Sequence, residues 1–235
     1  MVTSGVARFP DEGLVRMILD QAFLAGKPLK GLVDLGIENP ETVASHTHMN
    51  MVLGELIAKT EGLSAVQKIR LLFLLQWHSL EEVENANEPL IPRGGMSMRE
   101  FVRFQIEDWR PPTWRKWRNS QIESYHSKVI PALEKALSRY PEDERYLIRD
   151  AVQEFYLDKG YIADLARQVH LLSSIPVPLQ KVLAGERNIP VEAFVRKASI
   201  VKNNSCRMVL NGMRRSLRRT RSQIHKGGPL RHQPV

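Results

Sequence analysis

The sequence of 235 residues is poor in cysteine and in long apolar segments. Its one cysteine, Cys206, excludes an internal disulfide and a cysteine-based metal site, and it favours a reducing, intracellular setting. The longest apolar run covers residues 71–75, far fewer than the roughly 20 residues that a membrane-spanning helix needs. The N-terminal residues show no apolar segment after their first charge, so no secretory signal is expected. The composition therefore predicts a soluble protein of the cytoplasm, nucleoid or nucleus.

Catalytic motifs are also missing. The chain contains no glycine-rich phosphate loop with a lysine, no GxSxG and no HExxH. Its acidic residues are scattered over helix faces with the character of solvated surface, although an enzyme with dispersed acids would leave no motif. The sequence therefore predicts a protein that is not an enzyme and that uses no cofactor.

Histidine offers no metal-binding pattern at close spacing. His46 and His48 are two residues apart, and on a helix such residues point in nearly opposite directions, so one ion would not contact both. No carboxylate or cysteine completes a set at a familiar spacing. His78 and Glu81 are three residues apart, which is the spacing of an ordinary surface contact. No metal site is therefore predicted.

The pattern of apolar residues predicts an all-α fold with a multi-helix globular body. Asn39-Pro40-Glu41 has the composition of a helix start, with a capping residue, a proline and an acid. Ser64 and Gln67 fit a capping box. The helix that follows is apolar nearly all round at residues 71–77, which predicts a central and buried position.

Proline and glycine indicate how this body is divided. Residues 86–96 contain two of each and predict a linker or long loop. We therefore expect an N-terminal helical region over residues 1–92 and a C-terminal helical region over residues 97–205. Residues 206–235 are predicted to form a basic C-terminal arm that is partly disordered when free.

Acidic residues are absent from residues 193–235, which carry eleven lysines and arginines. The whole chain carries +8, so the first 192 residues sum to −3 and the basicity is local. Such a block predicts a polyanionic partner, either nucleic acid or an anionic membrane surface. A nuclear-localisation signal or a solubilising tail is an alternative. The residues expected to bind phosphate are Arg196, Lys197, Lys202, Arg207, Arg214, Arg215, Arg218, Arg219 and Arg221.

Residues 143–202 read as four short helices joined by tight turns. Leu165 and Ala166 lie on the second helix, Gly185 ends the third and Pro190 opens the fourth. This order is similar to the helix-turn-helix domains of the phage-repressor type. The alternative is four ordinary helices of an all-α protein.

The resemblance implies a role for the third helix and for the residues that follow it. Gln180 and Lys181 have the donors to read base edges, and Arg187 and Asn188 are expected to hold phosphate. These four residues are the candidates for contact with DNA.

Three of the four tryptophans lie within nine residues, next to a group of cations. Aromatic side chains beside cations suit stacking on unpaired bases and contact with phosphate, which makes Arg115, Lys116 and Arg118 further candidates. In the alternative interpretation, Trp114 and Trp117 continue an apolar stripe and face the core.

Together these patterns predict a nucleic-acid-binding protein, with DNA favoured over RNA. The first hypothesis is a DNA-binding regulator or accessory factor that uses a short helix and the basic C-terminal arm. The alternative is a structural nucleoprotein component, such as an RNA-coating nucleocapsid or matrix-like protein. Either function is compatible with a homo-oligomer or a larger nucleoprotein assembly. A third hypothesis is a helical interaction scaffold whose basic tail serves only as an address.

Overall fold

The structure is a computed structural model that describes residues 11–33, 37, 39–84, 112–186 and 189–225. Within these ranges the regular elements are helices and none is a strand, which confirms the predicted all-α fold class. The α-helices are α1 (Asp11–Gly26), α2 (Lys30–Val33), α3 (Val43–Thr60), α4 (Ala65–Trp77), α5 (Trp114–Ser124), α6 (Ile130–Leu137), α7 (Glu142–Leu157), α8 (Tyr161–Ser173), α9 (Pro176–Leu183), α10 (Val191–Lys197) and α11 (Asn204–His225). Among the described helices, none is long and apolar enough to cross a membrane.

Local capping signals set the starts of α3 and α4. The predicted capping box forms, because the amide of Ser64 donates to Gln67 Oε1 at 3.0 Å and the amide of Gln67 donates to Ser64 Oγ at 3.3 Å. Helix α3 begins later than predicted, and its N-cap is Thr42, whose Oγ1 accepts from the amide of Ser45 at 3.2 Å. Asn39 has a φ of 46°, a left-handed conformation that belongs to a turn. The predicted start is therefore the turn that leads into the helix.

Helix α4 lies at the centre of the core, as its apolar character predicts. Leu71, Leu74 and Leu75 are fully buried, and the helix packs against α3, α7 and α8. Burial of each such leucine contributes about 1.5–3 kcal/mol to stability. Helix α3 approaches α4 closely at the buried Gly54. The end of α4 is therefore held firmly against its neighbours.

Helix α8 connects the N-terminal helices to the C-terminal ones by packing against α3, α4, α7 and α11. Its Arg167 is 1% exposed and donates to the backbone carbonyls of Phe155 at 2.5 Å and Asp158 at 2.9 Å. Carbonyls at the end of a helix lack partners within it, so this guanidinium caps the end of α7. Desolvation lowers the pKa of Arg167 to about 10.

Helix α11 packs against α3, α8 and α9. Cys206 and Leu217 lie on its buried face. Gln168 of α8 fixes the chain just before α11, because its Oε1 accepts from the amides of Lys202 at 2.6 Å and Asn203 at 2.7 Å. The position of α11 is therefore set by both apolar and polar contacts.

One hydrophobic core includes residues of both predicted helical regions. Leu32 and Leu53 of the N-terminal region belong to the same cluster as Leu165 and Leu217. The predicted boundary between the two regions, near residues 92–97, lies outside the described residues. Within the predicted basic arm, residues 206–225 belong to α11, and residues 226–235 lie outside the described part of the chain.

Candidate metal centre and arginine groove

Three histidines from separate parts of the chain meet in the interior. His46 lies on α3, His78 is the C-cap of α4 and His170 lies on α8. One ring nitrogen of each lies within 4.8 Å of the other two. His170 Nδ1 is 3.0 Å from His78 Nε2 and 3.4 Å from His46 Nε2. His46 and His78 are buried and His170 is half-buried. We call these three residues the histidine cluster.

Acceptors outside the histidine cluster orient two of its rings. His78 Nδ1 donates to the carbonyl of Leu75 at 2.8 Å, because a carbonyl can only accept. His46 Nδ1 is 3.3 Å from Oε1 of Glu41, whose carboxylate is also buried. The Leu75 contact places the ring proton of His78 on Nδ1 and leaves a lone pair on its Nε2. The Glu41 contact favours the same arrangement in His46, whose Nε2 is also 3.3 Å from Ser173 Oγ. Each Nε2 lies close to His170 Nδ1, so the lone pairs converge.

Burial favours the neutral form of the His78 and His170 rings. Desolvation, with a smaller contribution from neighbouring His46, lowers the pKa of His78 to about 3. Desolvation also lowers the pKa of His170 well below its ordinary value, with smaller contributions from both histidines and from the Lys197 ammonium. Phe155 covers two rings, with its centroid 4.9 Å from that of His78 and 5.9 Å from that of His170. Neutral imidazole is the form that binds metal ions.

The spacing of histidines in the sequence does not predict the histidine cluster. The nearest histidine to His46 in the sequence is His48, which the structure leaves exposed while His46 is buried. His170, the common partner of His46 and His78, is 124 positions from His46 and 92 positions from His78 in the sequence. The available signal was weak: His78 and His170 each lie in an apolar, leucine-rich segment, where an imidazole is expected to face the interior.

The basic residues of α10 and α11 form a second feature. A cavity of about 480 Å³ lies between these helices and is lined by Glu192, Val195, Arg196, Ser199, Arg214, Leu217, Arg218 and Arg221. The cavity therefore brings together four of the nine predicted phosphate-binding residues of the C-terminal block, which are Arg196, Arg214, Arg218 and Arg221. Arg221 Nε pairs with Glu192 Oε1 at 3.2 Å. We call this cavity the arginine groove.

The other predicted cations of the C-terminal block lie outside the arginine groove. Lys202, Arg207, Arg215 and Arg219 are exposed. Lys197 is exposed as a residue, but desolvation lowers the pKa of its ammonium, which lies near His170. The ammonium of Lys202 is 5.7 Å from the ring centroid of Trp114. Arg207 Nε donates to the carbonyl of Val201 at 3.2 Å. Arg215 and Arg219 thus present charge on a face of α11 that does not line the groove.

The predicted DNA-reading residues belong to α9 and the segment after it. Gln180 is exposed, whereas Lys181 is half-buried and its ammonium is 3.3 Å from Glu186 Oε1. Arg187 and Asn188 lie outside the described residues. Helices α7 to α10 run from Glu142 to Lys197 and so fall in the predicted region 143–202 but for its ends, and their interpretation as a helix-turn-helix unit stays a prediction.

The cations near the tryptophans differ in their surroundings. Arg115 and Lys116 are exposed. Arg118 donates to the backbone carbonyls of Tyr156 and Asp158, the latter at 2.9 Å. Desolvation lowers the pKa of Arg118. This residue therefore helps Arg167 to cap the end of α7.

The tryptophans themselves agree with the core-facing interpretation. Trp117 is 7% exposed, and Trp114 is half-buried and packs against the core. Their ring centroids are 4.9 Å apart at a tilt of 33°. Stacking on an unpaired base would require the indole of Trp117 to leave this contact.

Comparison with known proteins gives no family. No protein-family model matches the sequence, and no curated protein is detectably similar to it. The histidine cluster and the arginine groove therefore carry the functional argument.

Proposed function

We propose that this protein binds one divalent transition-metal ion through His46, His78 and His170. The convergence of three imidazole nitrogens from three helices carries this proposal. A tetrahedral zinc ion with metal–nitrogen bonds of about 2.0–2.1 Å holds its ligand nitrogens about 3.3 Å apart. The distances of 3.0 and 3.4 Å to His170 Nδ1 lie on either side of that value. The remaining pair, His46 and His78, has its ring nitrogens within 4.8 Å, so those two rings would move closer together as they bind the ion.

The chemistry of the donors favours zinc and neighbouring transition metals. Imidazole nitrogen suits Zn²⁺, Cu²⁺, Ni²⁺ and Co²⁺, whereas Mg²⁺ and Ca²⁺ prefer oxygen ligands. Glu41 and the carbonyl of Leu75 are outer partners of the kind that orient metal-binding histidines. Three protein ligands leave a fourth tetrahedral position for water or a substrate, as in catalytic rather than structural zinc sites.

A hydrogen-bonded cluster without an ion is the competing explanation, because an Nδ1–H on His170 could donate to either neighbouring Nε2. Metal analysis of the purified protein, followed by zinc titration after chelation, separates the two. We expect one zinc per chain, a more than hundredfold weaker affinity for His170→Asn, and a roughly 10–100-fold weaker affinity for Glu41→Gln. His48→Asn, on the exposed side of the same helix, is the matched control.

Substitution of a buried histidine can also damage the fold, so a measurement on the unmodified protein is needed. Cobalt in a tetrahedral three-nitrogen site absorbs visible light much more strongly than octahedral cobalt. We expect the intense spectrum at one equivalent of Co²⁺ and its loss on addition of zinc. Absence of stoichiometric binding by the unmodified protein, or equal losses for His48→Asn and His170→Asn, would contradict the proposal.

We also propose that the protein binds nucleic acid, with DNA favoured over RNA, through the cations of α10 and α11. The observation that favours this second function is that α11 contains no acid and exposes arginines on more than one side of a helix anchored in the core. Each phosphate contact releases counterions, so binding should weaken steeply with salt. The more specific proposal is that Gln180 on α9 reads base edges in a helix-turn-helix unit. The protein would then act inside the cell as a regulator or accessory factor.

The test must leave α11 in place, because Cys206 and Leu217 belong to the core and a truncation would disturb the fold. Replacement of exposed Arg215 and Arg219 by glutamine should lower the slope of log K against log salt by roughly 0.9 for each phosphate that the variant no longer binds. Replacement of the exposed Lys59 on α3, remote in sequence, serves as the control. An unchanged slope would contradict phosphate contacts by Arg215 and Arg219.

A separate comparison distinguishes the two nucleic-acid functions. Gln180→Ala should weaken binding to a preferred duplex and spare non-specific binding if α9 reads sequence. Binding in arrays to single strands without sequence preference instead supports the structural nucleoprotein component.

A further inference from the structure

We infer that the arginine groove receives one unpaired nucleotide of a single-stranded nucleic acid. Its phosphate would lie on the arginines and its base against the apolar floor. This inference rests on the proposed nucleic-acid binding, which it makes more specific by naming the form of the ligand.

Helical geometry explains why the groove has both charge and an apolar floor. Arg214, Leu217, Arg218 and Arg221 are spaced by three, one and three residues, so they share one face of α11. Leu217 is 6% exposed and belongs to the core cluster. It forms the floor, while the longer arginines reach past it to the rim. Val195 of α10 lines the opposite wall.

The charge of the groove is strongly one-sided. Among the described residues that line it, Glu192 is the one acid, and both oxygens of that carboxylate face Arg221, at 3.2 Å from Nε and 3.4 Å from Nη2. Arg214 and Arg218 remain on the same face with no acid on their own helix. Guanidinium groups bind phosphate in a bidentate manner and can also stack on the face of a base. The groove is therefore complementary to a nucleotide rather than to a neutral apolar ligand.

The shape of the groove favours an unpaired nucleotide over a duplex. A volume of about 480 Å³ is in the range of sites for single small ligands. A double helix keeps its bases stacked inside and could touch only the rim of such a cavity. An unpaired nucleotide can turn its base out and place it in the cavity, as single-strand-binding proteins require. The groove should therefore discriminate by strandedness and show little preference for sequence.

Neighbouring arginines on α11 provide a matched test. Arg214→Ala/Arg218→Ala removes two charges from the groove, and Arg215→Ala/Arg219→Ala removes two from positions one residue further along, outside the groove. Fluorescence anisotropy with a labelled thymidine oligonucleotide and with a duplex of equal length measures both. We expect the groove pair to weaken single-strand binding about tenfold more than the outer pair does, and the two pairs to weaken duplex binding equally.

The possible failures are distinguishable. If the unmodified protein binds neither oligonucleotide, the proposed nucleic-acid function fails and this inference fails with it. If it binds but the two double variants behave alike toward the single strand, only the inference on the groove is wrong. Photo-crosslinking of an iodouridine oligonucleotide gives an independent measurement: we expect adducts on peptides containing Val195 or Leu217, and adducts confined to other helices would overturn the assignment.

Discussion

Glu81 gives the protein a dependence of stability on pH that one substitution should remove. Its side chain is buried beside Tyr156, whose hydroxyl donates to Glu81 Oε1 at 3.2 Å, and Glu81 Oε2 has no hydrogen-bond partner among the described residues. Desolvation, with a smaller contribution from the charge of Glu82, raises the pKa of Glu81 from 4.5 to about 8. The folded protein therefore holds this carboxyl protonated at pH 7, whereas the unfolded chain ionises it.

The sign of the effect follows from proton binding. Between pH 4.5 and pH 8 the folded state carries one proton more than the unfolded state at this position, so stability falls as pH rises. At pH 6.5 unfolded histidines are half protonated, so the depressed pKa values of His78 and His170 contribute a slope of opposite sign up to about pH 7.5. That slope is shared by a variant of Glu81 and cancels when the variant is compared with the unmodified protein. From pH 6.5 to pH 9 the Glu81 contribution to the free energy of unfolding falls by about 2 kcal/mol.

Urea denaturation at several pH values, with a chelator present to exclude metal binding, measures this contribution. Glu81→Gln keeps an acceptor for Tyr156 and cannot ionise, so its free energy of unfolding should lack the decrease of about 2 kcal/mol between pH 6.5 and pH 9. If the new amide changes the free energy of unfolding by the same amount at every pH, the slope of stability against pH is unaffected. Glu123→Gln, an exposed control, should follow the unmodified protein. Parallel curves for Glu81→Gln and the unmodified protein would refute the reasoning.

Three further substitutions test packing and the anchoring of α11. Gln168→Leu should lower the free energy of unfolding, measured by urea denaturation, by about 2–4 kcal/mol, because two backbone amides before α11 lose their acceptor. Exposed Gln153→Leu is the control, and an equal loss of stability in both variants would contradict the anchoring role. Gly54→Ala should cost about 1–3 kcal/mol, because its Cβ would lie 2.5 Å from Cδ1 of fully buried Leu75. Gly212→Ala should instead stabilise α11 by up to about 1 kcal/mol, because its Cβ would meet no atom of the described residues closer than 4.0 Å. A thermal melt in which Gly54→Ala is more stable than Gly212→Ala would contradict this packing argument.

The features that the sequence predicted are those with local causes. The capping box of Ser64 and Gln67 depends on residues three apart, and the buried position of α4 follows from the apolar character of one segment. The predicted start of α3 is too early because Asn39 lies in the turn before the helix, and asparagine is common both in turns and at helix starts.

Arg118 shows a second limit. It belongs to a run of cations whose neighbours Arg115 and Lys116 are exposed, yet its guanidinium donates to carbonyls about 40 positions later in the chain. Sequence alone does not show which of several adjacent cations meets the end of another helix. For the same reason the sequence does not reveal the histidine cluster, because each of its residues taken alone resembles an ordinary buried histidine.

Helix α8 connects the two candidate sites through residues that are close in sequence. His170 meets the histidine cluster, Gln168 holds the chain that enters α11, and Arg167 caps α7. Residues two apart on a helix point in nearly opposite directions, so Gln168 and His170 serve different sides of α8. A shift of α8 along its axis would break all three sets of contacts at once. The geometry of the metal site and the position of the arginine-bearing helix are therefore both fixed by the placement of this one helix.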